Sequence, residues 1–202
     1  MGIFIAYSNF TIEEVELRFD LQLQAVSFLP ETIPIAPSDL LIRYLERGLT
    51  LAKRNVSEKA QSEFLIAPIL LELETLLTDS ISLFSGEDFT VDRSLGLNGI
   101  CDFLIARSPA QLIIKAPVIA VVEAKRGVLR DGWGQCIAEL VAAQKFNLQR
   151  HQEIPYTYGI VTSGLLWQFI RLSGSTVSIE PAEIPLQPLD RLLGILSWLA
   201  QN

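Results

Sequence analysis

The stretch "VIAVVEAKRG", residues 118–127, decides the fold. Its first five residues are apolar, a pattern typical of a strand that is buried on both faces of a sheet. The run ends in Glu123 and Lys125, a carboxylate and an ammonium two positions apart and therefore on the same side of that strand. Functional chemistry is therefore expected at this end of the strand.

Length and composition indicate one domain, residues 1–202. Half of the residues are hydrophobic and no shift in composition marks a boundary. Because this apolar fraction is high, we expect a second copy to cover part of the surface, giving a homodimer. No apolar run approaches the roughly 18 residues of a membrane span, and the sequence begins without signal-peptide features. We therefore expect a cytoplasmic protein with no membrane partner.

The charge and the metal-binding residue types exclude several classes. The formal net charge of −7 disfavours a broad nucleic-acid footprint, so any phosphate contact has to be local. Two cysteines and one histidine are too few for a disulfide framework or a four-ligand zinc site. Motifs for nucleotide binding and for serine hydrolases are absent from the sequence.

Capping residues predict three helices in the first 80 residues. Thr11 and Glu14 have the spacing of a capping box, and Ser38 and Ser57 each precede a helical pattern. Pro68 lies within the third helix and should kink it or end its first part. The helices are expected after Thr11, at 39–53, and from Ser57 to about Thr78.

The remainder of the chain alternates between strand and helix patterns, which predicts an α/β fold. Three strand patterns come first, and then a long helix, a hairpin of two strands, a further strand and a last helix. The strands are expected within 81–92, 100–106, 116–125, 156–162, 165–172 and 176–180, and the helices within 135–151 and 189–200.

Asp102 supplies a second carboxylate on the strand before Glu123. If these two strands pair, both carboxylates converge at one edge of the sheet beside Lys125. A divalent cation between them would remove their repulsion, and hard oxygen ligands suit Mg²⁺ or Mn²⁺. The chemistry expected from this combination is metal-assisted hydrolysis of a phosphodiester, with the lysine acting on the attacking water.

The segments "GICDFLI", 99–105, and "VVEAK", 121–125, within this order of elements resemble the PD-(D/E)XK nuclease superfamily. The resemblance covers about residues 57–172 and implies a restriction-endonuclease-like αβββαβ core, with a mixed central sheet flanked by helices. Residues 1–56 would then be an N-terminal helical extension, and 173–202 a C-terminal strand and helix.

The resemblance also implies roles for five residues. Asp102 and Glu123 match the family's metal-binding acids, and Lys125 matches its catalytic lysine. Glu63 matches an acidic residue on the helix before the sheet that supports the metal, and Gln135 matches a glutamine on the helix after the sheet that positions a ligand. The implied cofactor is Mg²⁺ or Mn²⁺, and the implied substrate is DNA or RNA.

Two positions depart from the family pattern. Cys101 precedes the aspartate where many members have proline, a difference that other members share. Glu139 stands four residues after Gln135, where one branch of the family has tyrosine. The second departure argues against that branch.

Glu63 has a competing interpretation. It shares its side of a helical wheel with Ile66 and Leu70, which predicts a carboxylate in the core-facing stripe of the helix. A buried carboxylate needs a partner, which is either the metal or a core Lys or Arg in a structural ion pair, with Lys125 as one candidate.

A second function stays open, that of a non-catalytic protein-interaction module which keeps the nuclease-like fold. The acidic charge and the apolar composition favour it. The position of the cations discriminates, because a groove of cations over the carboxylates would bind phosphates. The cations in question are Lys125, Arg126, Arg130, Lys145 and Arg150.

Overall fold

A computed structural model describes residues 6–54, 57–108 and 112–202 of the chain. They form a mixed eight-stranded sheet with helices on both of its faces. This confirms the predicted α/β class with a mixed sheet flanked by helices. Residues 1–5 of the N-terminal segment considered above lie outside the described residues.

The helices of the described part begin and end close to where the sequence predicts them. None of them is long and apolar enough to cross a membrane. The α-helices are α1 Ile12–Phe19, α2 Asp39–Arg54, α3 Glu58–Gln61, α4 Ala67–Leu76, α5 Trp133–Gln149 and α6 Leu189–Gln201, with a π-helix at Ser62–Ile66 and 3₁₀-helices at Tyr7–Asn9, Arg93–Leu95 and Leu129–Gly132.

The strands include all six that the sequence patterns predict. The described strands are β1 Gln22–Ala25, β2 Ser82–Asp88, β3 Ile100–Ala106, β4 Val118–Ala124, β5 Thr157–Thr162, β6 Leu166–Ser173, β7 Thr176–Ile179 and β8 Ile184–Pro185.

The sheet has the strand order β1-β7-β6-β5-β4-β3-β2, and β8 pairs with β6. Strands β2, β3 and β4 form an antiparallel meander, and β5 then lies parallel to β4. Helix α5 makes the crossover between these two parallel strands and packs on both of them. Strands β4 and β5 are buried along their whole lengths, which explains why β4 reads as a continuous apolar run.

Two hydrophobic clusters fill the spaces between the sheet and its helices. One contains core residues of α2, α4 and α6, and the other contains core residues of α1 and α5. Both clusters include β4 side chains, with Val122 in the first and Val121 in the second. Strand β4 therefore lies in the middle of a three-layer arrangement.

The predicted caps of the first helices are confirmed. Thr11 Oγ1 accepts a hydrogen bond from the Glu14 amide at 3.2 Å, and Glu14 Oε2 accepts one from the Thr11 amide at 2.8 Å. Ser38 Oγ accepts from the Leu41 amide, and Ser57 Oγ accepts from the Ala60 amide. These bonds satisfy amides that the first turn of a helix leaves without partners.

The third predicted helix is interrupted before Pro68. The chain makes a π-helical turn over Ser62–Ile66 and then continues as α4. Proline cannot donate to the carbonyl four residues earlier, which belongs to Phe64, and its ring crowds that carbonyl. The wider turn accommodates this conflict, so the predicted effect of Pro68 is confirmed and takes the form of a π-bulge.

Two strands have no counterpart in the sequence analysis. Strand β1 pairs in parallel with β7 at the edge of the sheet, and most of its residues are exposed. Strand β8 is only two residues long. Strand β1, "QLQA", alternates polar and apolar residues but is only four residues long, and β8 is too short to show a pattern. Backbone hydrogen bonds to an existing sheet hold both strands rather than a buried face.

Candidate functional site

The meander brings Asp102 and Glu123 together at one end of the sheet. The register of β3 and β4 pairs Phe103 with Val122. Because the strands are antiparallel, the next residues along them are Asp102 and Glu123, which therefore face each other across the pair. Their convergence, predicted from the sequence, is observed.

Asp102 is partly buried and tied to the neighbouring strand. Its Oδ2 accepts a hydrogen bond from the Ala124 amide at 2.8 Å. Burial raises the pKa of the Asp102 carboxyl, and this effect exceeds the opposing effects of the Ala124 amide and the Lys125 charge. The carboxyl is therefore held in place at the end of the strand while its charged form is disfavoured.

Glu123 is a buried acid with one oxygen left without a partner among the described residues. Its side chain is almost completely buried, and its Oε1 accepts a hydrogen bond from Lys125 Nζ at 2.7 Å. Within the described residues its Oε2 is buried and has no hydrogen-bond partner. Burial first, and then the nearby Asp102 charge, raise the pKa of Glu123 to about 7.

Lys125 is fixed at both its backbone and its side chain. Its amide donates to the Thr162 carbonyl at the end of β5 at 2.8 Å, and its Nζ also donates to Gln135 Oε1 at 3.3 Å. Burial lowers the pKa of Lys125, but the charge and hydrogen bond of Glu123 outweigh burial and leave it raised. The side chain is therefore an ammonium held between a carboxylate and an amide oxygen.

Gly132 leaves the space that the Lys125 side chain occupies. A Cβ atom at this position would lie 2.7 Å from Lys125 Cγ and 2.8 Å from Val161 Cγ1. Real Cβ atoms do not approach other carbons so closely, so a larger residue would displace the lysine or the strand. The glycine before α5 is thus part of what positions Lys125.

Gln135 links Lys125 to a further acid on α5. Its Nε2 donates to Glu139 Oε1 at 3.1 Å. Glu139 is completely buried, and its Oε2 has no hydrogen-bond partner within the described part of the chain. Burial and the nearby Glu123 charge raise the pKa of Glu139 well above its ordinary value. We call Glu123, Lys125, Gln135 and Glu139 the polar chain.

Glu63 does not lie where its helical wheel predicts. Its side chain is 53% exposed and pairs with Lys59 at 3.2 Å, so the prediction of a core-facing carboxylate is wrong. The π-helical turn adds a residue to the helical repeat at this point, which changes the face on which Glu63 lies. The alternative ion pair with Lys125 is not formed either, because that lysine pairs with Glu123.

Glu58, which the sequence analysis did not select, lies beside the site instead. Its Oε2 accepts a hydrogen bond from the Arg126 amide at 3.1 Å, and its charge raises the pKa of Asp102 and Glu123. Glu58 is the first residue of α3, directly after the cap Ser57. The sequence shows that Glu58 directly follows a helix cap. It does not show that this helix start lies beside the strand end that carries "EAKRG", because that contact joins segments far apart in the chain.

The five cations whose positions discriminate between a nuclease and a protein-interaction module divide into two groups. Lys125, Arg126 and Arg130 lie close together along the chain at the site. Lys145 pairs with Asp92 at 2.7 Å, and the Arg150 guanidinium lies 3.4 Å from the centre of the Phe146 ring. These two residues lie at the other end of α5, at least about 15 Å from Gln135 along the helix axis. A single groove lined by all five cations is therefore not formed.

The donor set suits a hard divalent cation with few protein ligands. Among residues 6–54, 57–108 and 112–202, no group of three or more His, Cys, Asp or Glu side chains is arranged to hold a metal ion. Mg²⁺ commonly takes one or two carboxylates and completes its octahedron with water and substrate oxygens. Asp102 and the unpartnered Oε2 of Glu123 provide that pair.

Comparison with family models, with curated proteins and with solved structures finds no match for this chain.

Proposed function

We propose that the chain is a metal-dependent nuclease of the PD-(D/E)XK type, with Asp102 and Glu123 as metal ligands. Support comes from the order α4-β2-β3-β4-α5-β5, in which an antiparallel meander is followed by a helix and a parallel strand. This is the αβββαβ order of a restriction-endonuclease-like core. Asp102 lies on the second strand of the meander, Glu123 lies near the end of the third, and Lys125 directly follows the third.

One observation carries the proposal, the unpartnered Oε2 of the buried Glu123 beside the carboxyl of Asp102. A buried carboxylate oxygen without a partner is costly, and a purely structural site would supply one. A divalent cation would satisfy this oxygen and favour the ionised form of both acids. The arrangement is thus preorganised for a ligand that carries positive charge.

The residues of the chain divide the chemical work. When bound, Mg²⁺ or Mn²⁺ supplies Lewis acidity and a water of lowered pKa. Lys125, kept as an ammonium by Glu123, donates hydrogen bonds and stabilises negative charge that develops on a phosphate oxygen. Gln135 holds the ammonium from its other side. Glu58 replaces Glu63 as the acid that supports the site from the preceding helix.

Phosphate contacts are assigned to the loop that follows Lys125. Arg126 and Arg130 are exposed there, and neither forms an ion pair with any described residue. Guanidinium groups in the residues that follow Lys125 would give the local positive charge that a chain of net charge −7 needs for a phosphate substrate.

A specific surface favours the second function, a protein-interaction module. Helices α2 and α4 and strand β2 enclose an apolar groove of about 680 Å³. Leu40, Tyr44 and Leu71 line it with exposed side chains. A protein-binding module would use this groove. Lys145 and Arg150 also favour this second function, because they lie away from the site and do not line one phosphate-binding groove with the other cations.

Cleavage assays decide between the two functions. Supercoiled DNA, single-stranded DNA and RNA are incubated with Mg²⁺ or Mn²⁺ and either wild type or Lys125→Ala. We expect cleavage by wild type and a loss of about 10²–10⁴ in rate for the variant, because a positioned catalytic group is removed. Lys145→Ala, which removes the cation paired with Asp92, is the matched control and should cleave normally. A wild type inert on every substrate with both metals would reject the nuclease.

A further inference from the structure

The acid at the end of the polar chain has no evident structural role. Glu139 is completely buried on α5, among residues of the apolar cluster that joins this helix to the sheet. No described cation pairs with it. Within residues 6–54, 57–108 and 112–202, its single side-chain hydrogen bond is the one that its Oε1 accepts from Gln135 Nε2 at 3.1 Å. A buried acid without a charged partner lowers stability, so a role toward another group would explain its presence.

The group it serves is the amide of Gln135, which has two chemically different ends. Its oxygen accepts from the Lys125 ammonium at 3.3 Å, and its nitrogen donates to Glu139. A rotation of the amide by 180° would turn NH₂ hydrogens toward the ammonium and oxygen toward an acceptor. The NH₂ hydrogens would then face the ammonium, which is unfavourable, and the bond that Glu139 Oε1 now accepts from Nε2 would be lost, so the two neighbours select one orientation together.

We propose that Glu139 is a positioning residue that orients the Gln135 amide so that its oxygen faces Lys125. This deepens the proposed nuclease, since its catalytic consequence rests on that function. The positioning itself is a property of the protein alone. It also accounts for an acid at the position four residues after Gln135, where an acceptor is required and a hydrogen-bond donor would not hold the amide nitrogen.

Removal of the acceptor should therefore release the lysine. Without Glu139, the amide of Gln135 has only the ammonium to fix its orientation. Lys125 Nζ then keeps its bond to Glu123 at 2.7 Å and holds its second partner loosely. The ammonium would sample positions closer to solvent, and substrate would meet a less well-placed donor.

Two variants of similar size separate positioning from folding. Glu139→Gln keeps a carbonyl acceptor, whereas Glu139→Met has none and is apolar. The probe is reductive methylation of Lys125 in the metal-free protein, followed by mass spectrometry. We expect Lys125 in Glu139→Met to react about threefold faster or more, because the Gln135 amide that restrains it has lost its own hydrogen-bond partner. Glu139→Gln should react within about twofold of wild type, since it restores the acceptor.

Denaturant unfolding supplies the contrast with a structural role. Replacing an unpaired buried acid with an apolar side chain should leave Glu139→Met at least as stable as wild type. Faster methylation in a protein that is no less stable supports the proposal. Unchanged methylation and an unchanged side-chain amide resonance of Gln135 in the NMR spectrum of Glu139→Met would overturn it.

A double-mutant cycle tests whether Glu139 acts through Gln135. In a Gln135→Leu background, Glu139→Met should change Lys125 methylation no further, because the connecting amide is gone. An additional increase of the same size would overturn the proposal. If wild type shows no nuclease activity while the methylation results hold, the proposed function fails and the positioning role stands. If wild type cleaves, Glu139→Met should lower kcat about tenfold with little change in KM, and Glu139→Gln should rescue it.

Discussion

At the scale of single residues, the site combines burial with like charge. Glu123 is buried next to Asp102 and has one charged partner, Lys125. These surroundings disfavour negative charge on both Asp102 and Glu123 when no metal ion is bound. The stability of the protein should therefore depend on the protonation of Glu123.

This dependence has a definite sign. The folded-state pKa of Glu123, about 7, lies above its ordinary value of 4.5, so the native state binds more protons than the unfolded state between these pH values. The free energy of unfolding should fall as pH rises through this window, by an amount on the order of 3 kcal/mol from this residue.

Glu123→Gln removes this titration and keeps the shape of the side chain. Measured by urea unfolding in metal-free buffer, we expect wild type to lose stability relative to the variant between pH 5 and pH 8. Parallel pH profiles for the two proteins would contradict the assigned environment of Glu123.

The predicted positions of site residues are confirmed where strand geometry determines them. Asp102, Glu123 and Lys125 were predictable because alternation along a strand and pairing of neighbouring strands have few solutions. Gln135 was implied only by the family resemblance, and it lies in the first turn of α5 with its amide oxygen bonded to Lys125. Glu139 was noted only as a departure from a family pattern, because its burial depends on packing that no local pattern encodes.

At the scale of elements, the π-helical turn before α4 has the largest effect on the site. It changes the face on which Glu63 lies, and Glu58 at the start of α3 takes the place beside the acids. A helical wheel assumes 100° per residue throughout, so it fails across such a turn. Pro68 predicts an interruption of the helix, but the sequence does not predict that the interruption is a π-helical turn.

The same turn brings a backbone carbonyl against α2. Gly48 of α2 lies so close to the Phe64 carbonyl, the one that Pro68 cannot bond, that a Cβ at Gly48 would overlap the oxygen. Glycine within a helix normally costs about 0.5–1 kcal/mol relative to alanine. Here the close approach of the two backbones requires it.

Gly48→Ala should therefore destabilise the protein despite the better helix propensity of alanine. We expect a loss of about 1–3 kcal/mol in unfolding free energy, the usual range for overpacking. Thr50→Ala, at an exposed position of the same helix, is the matched control and should have a small effect. A Gly48→Ala protein more stable than wild type would show that α2 and the π-turn do not approach as described.

At the scale of the whole molecule, charge is distributed unevenly around a site of restricted size. The chain is acidic, yet Arg126 and Arg130, which form no ion pair among the described residues, follow closely after Glu123 in the chain. The homodimer expected from the apolar composition stays a prediction. The apolar groove between α2 and α4 is a further surface left to explain by binding.

Composition and element order predicted the class of fold because both report averages over many residues. They did not predict the edge strand β1, which contributes little buried surface. They also did not predict that Lys145 would pair with Asp92, since this contact joins α5 to a loop far away in sequence. Long-range polar contacts of this kind have no periodic signal.

Calorimetric titration with Mn²⁺ tests the central claim, that Asp102 and Glu123 form a cation site. We expect weak binding to wild type and none to Asp102→Ala, which loses one of two protein ligands. Glu63→Gln is the matched control, because that exposed carboxylate pairs with Lys59, and its Mn²⁺ affinity should equal that of wild type. Unchanged binding by Asp102→Ala, or no binding by wild type, would contradict the account.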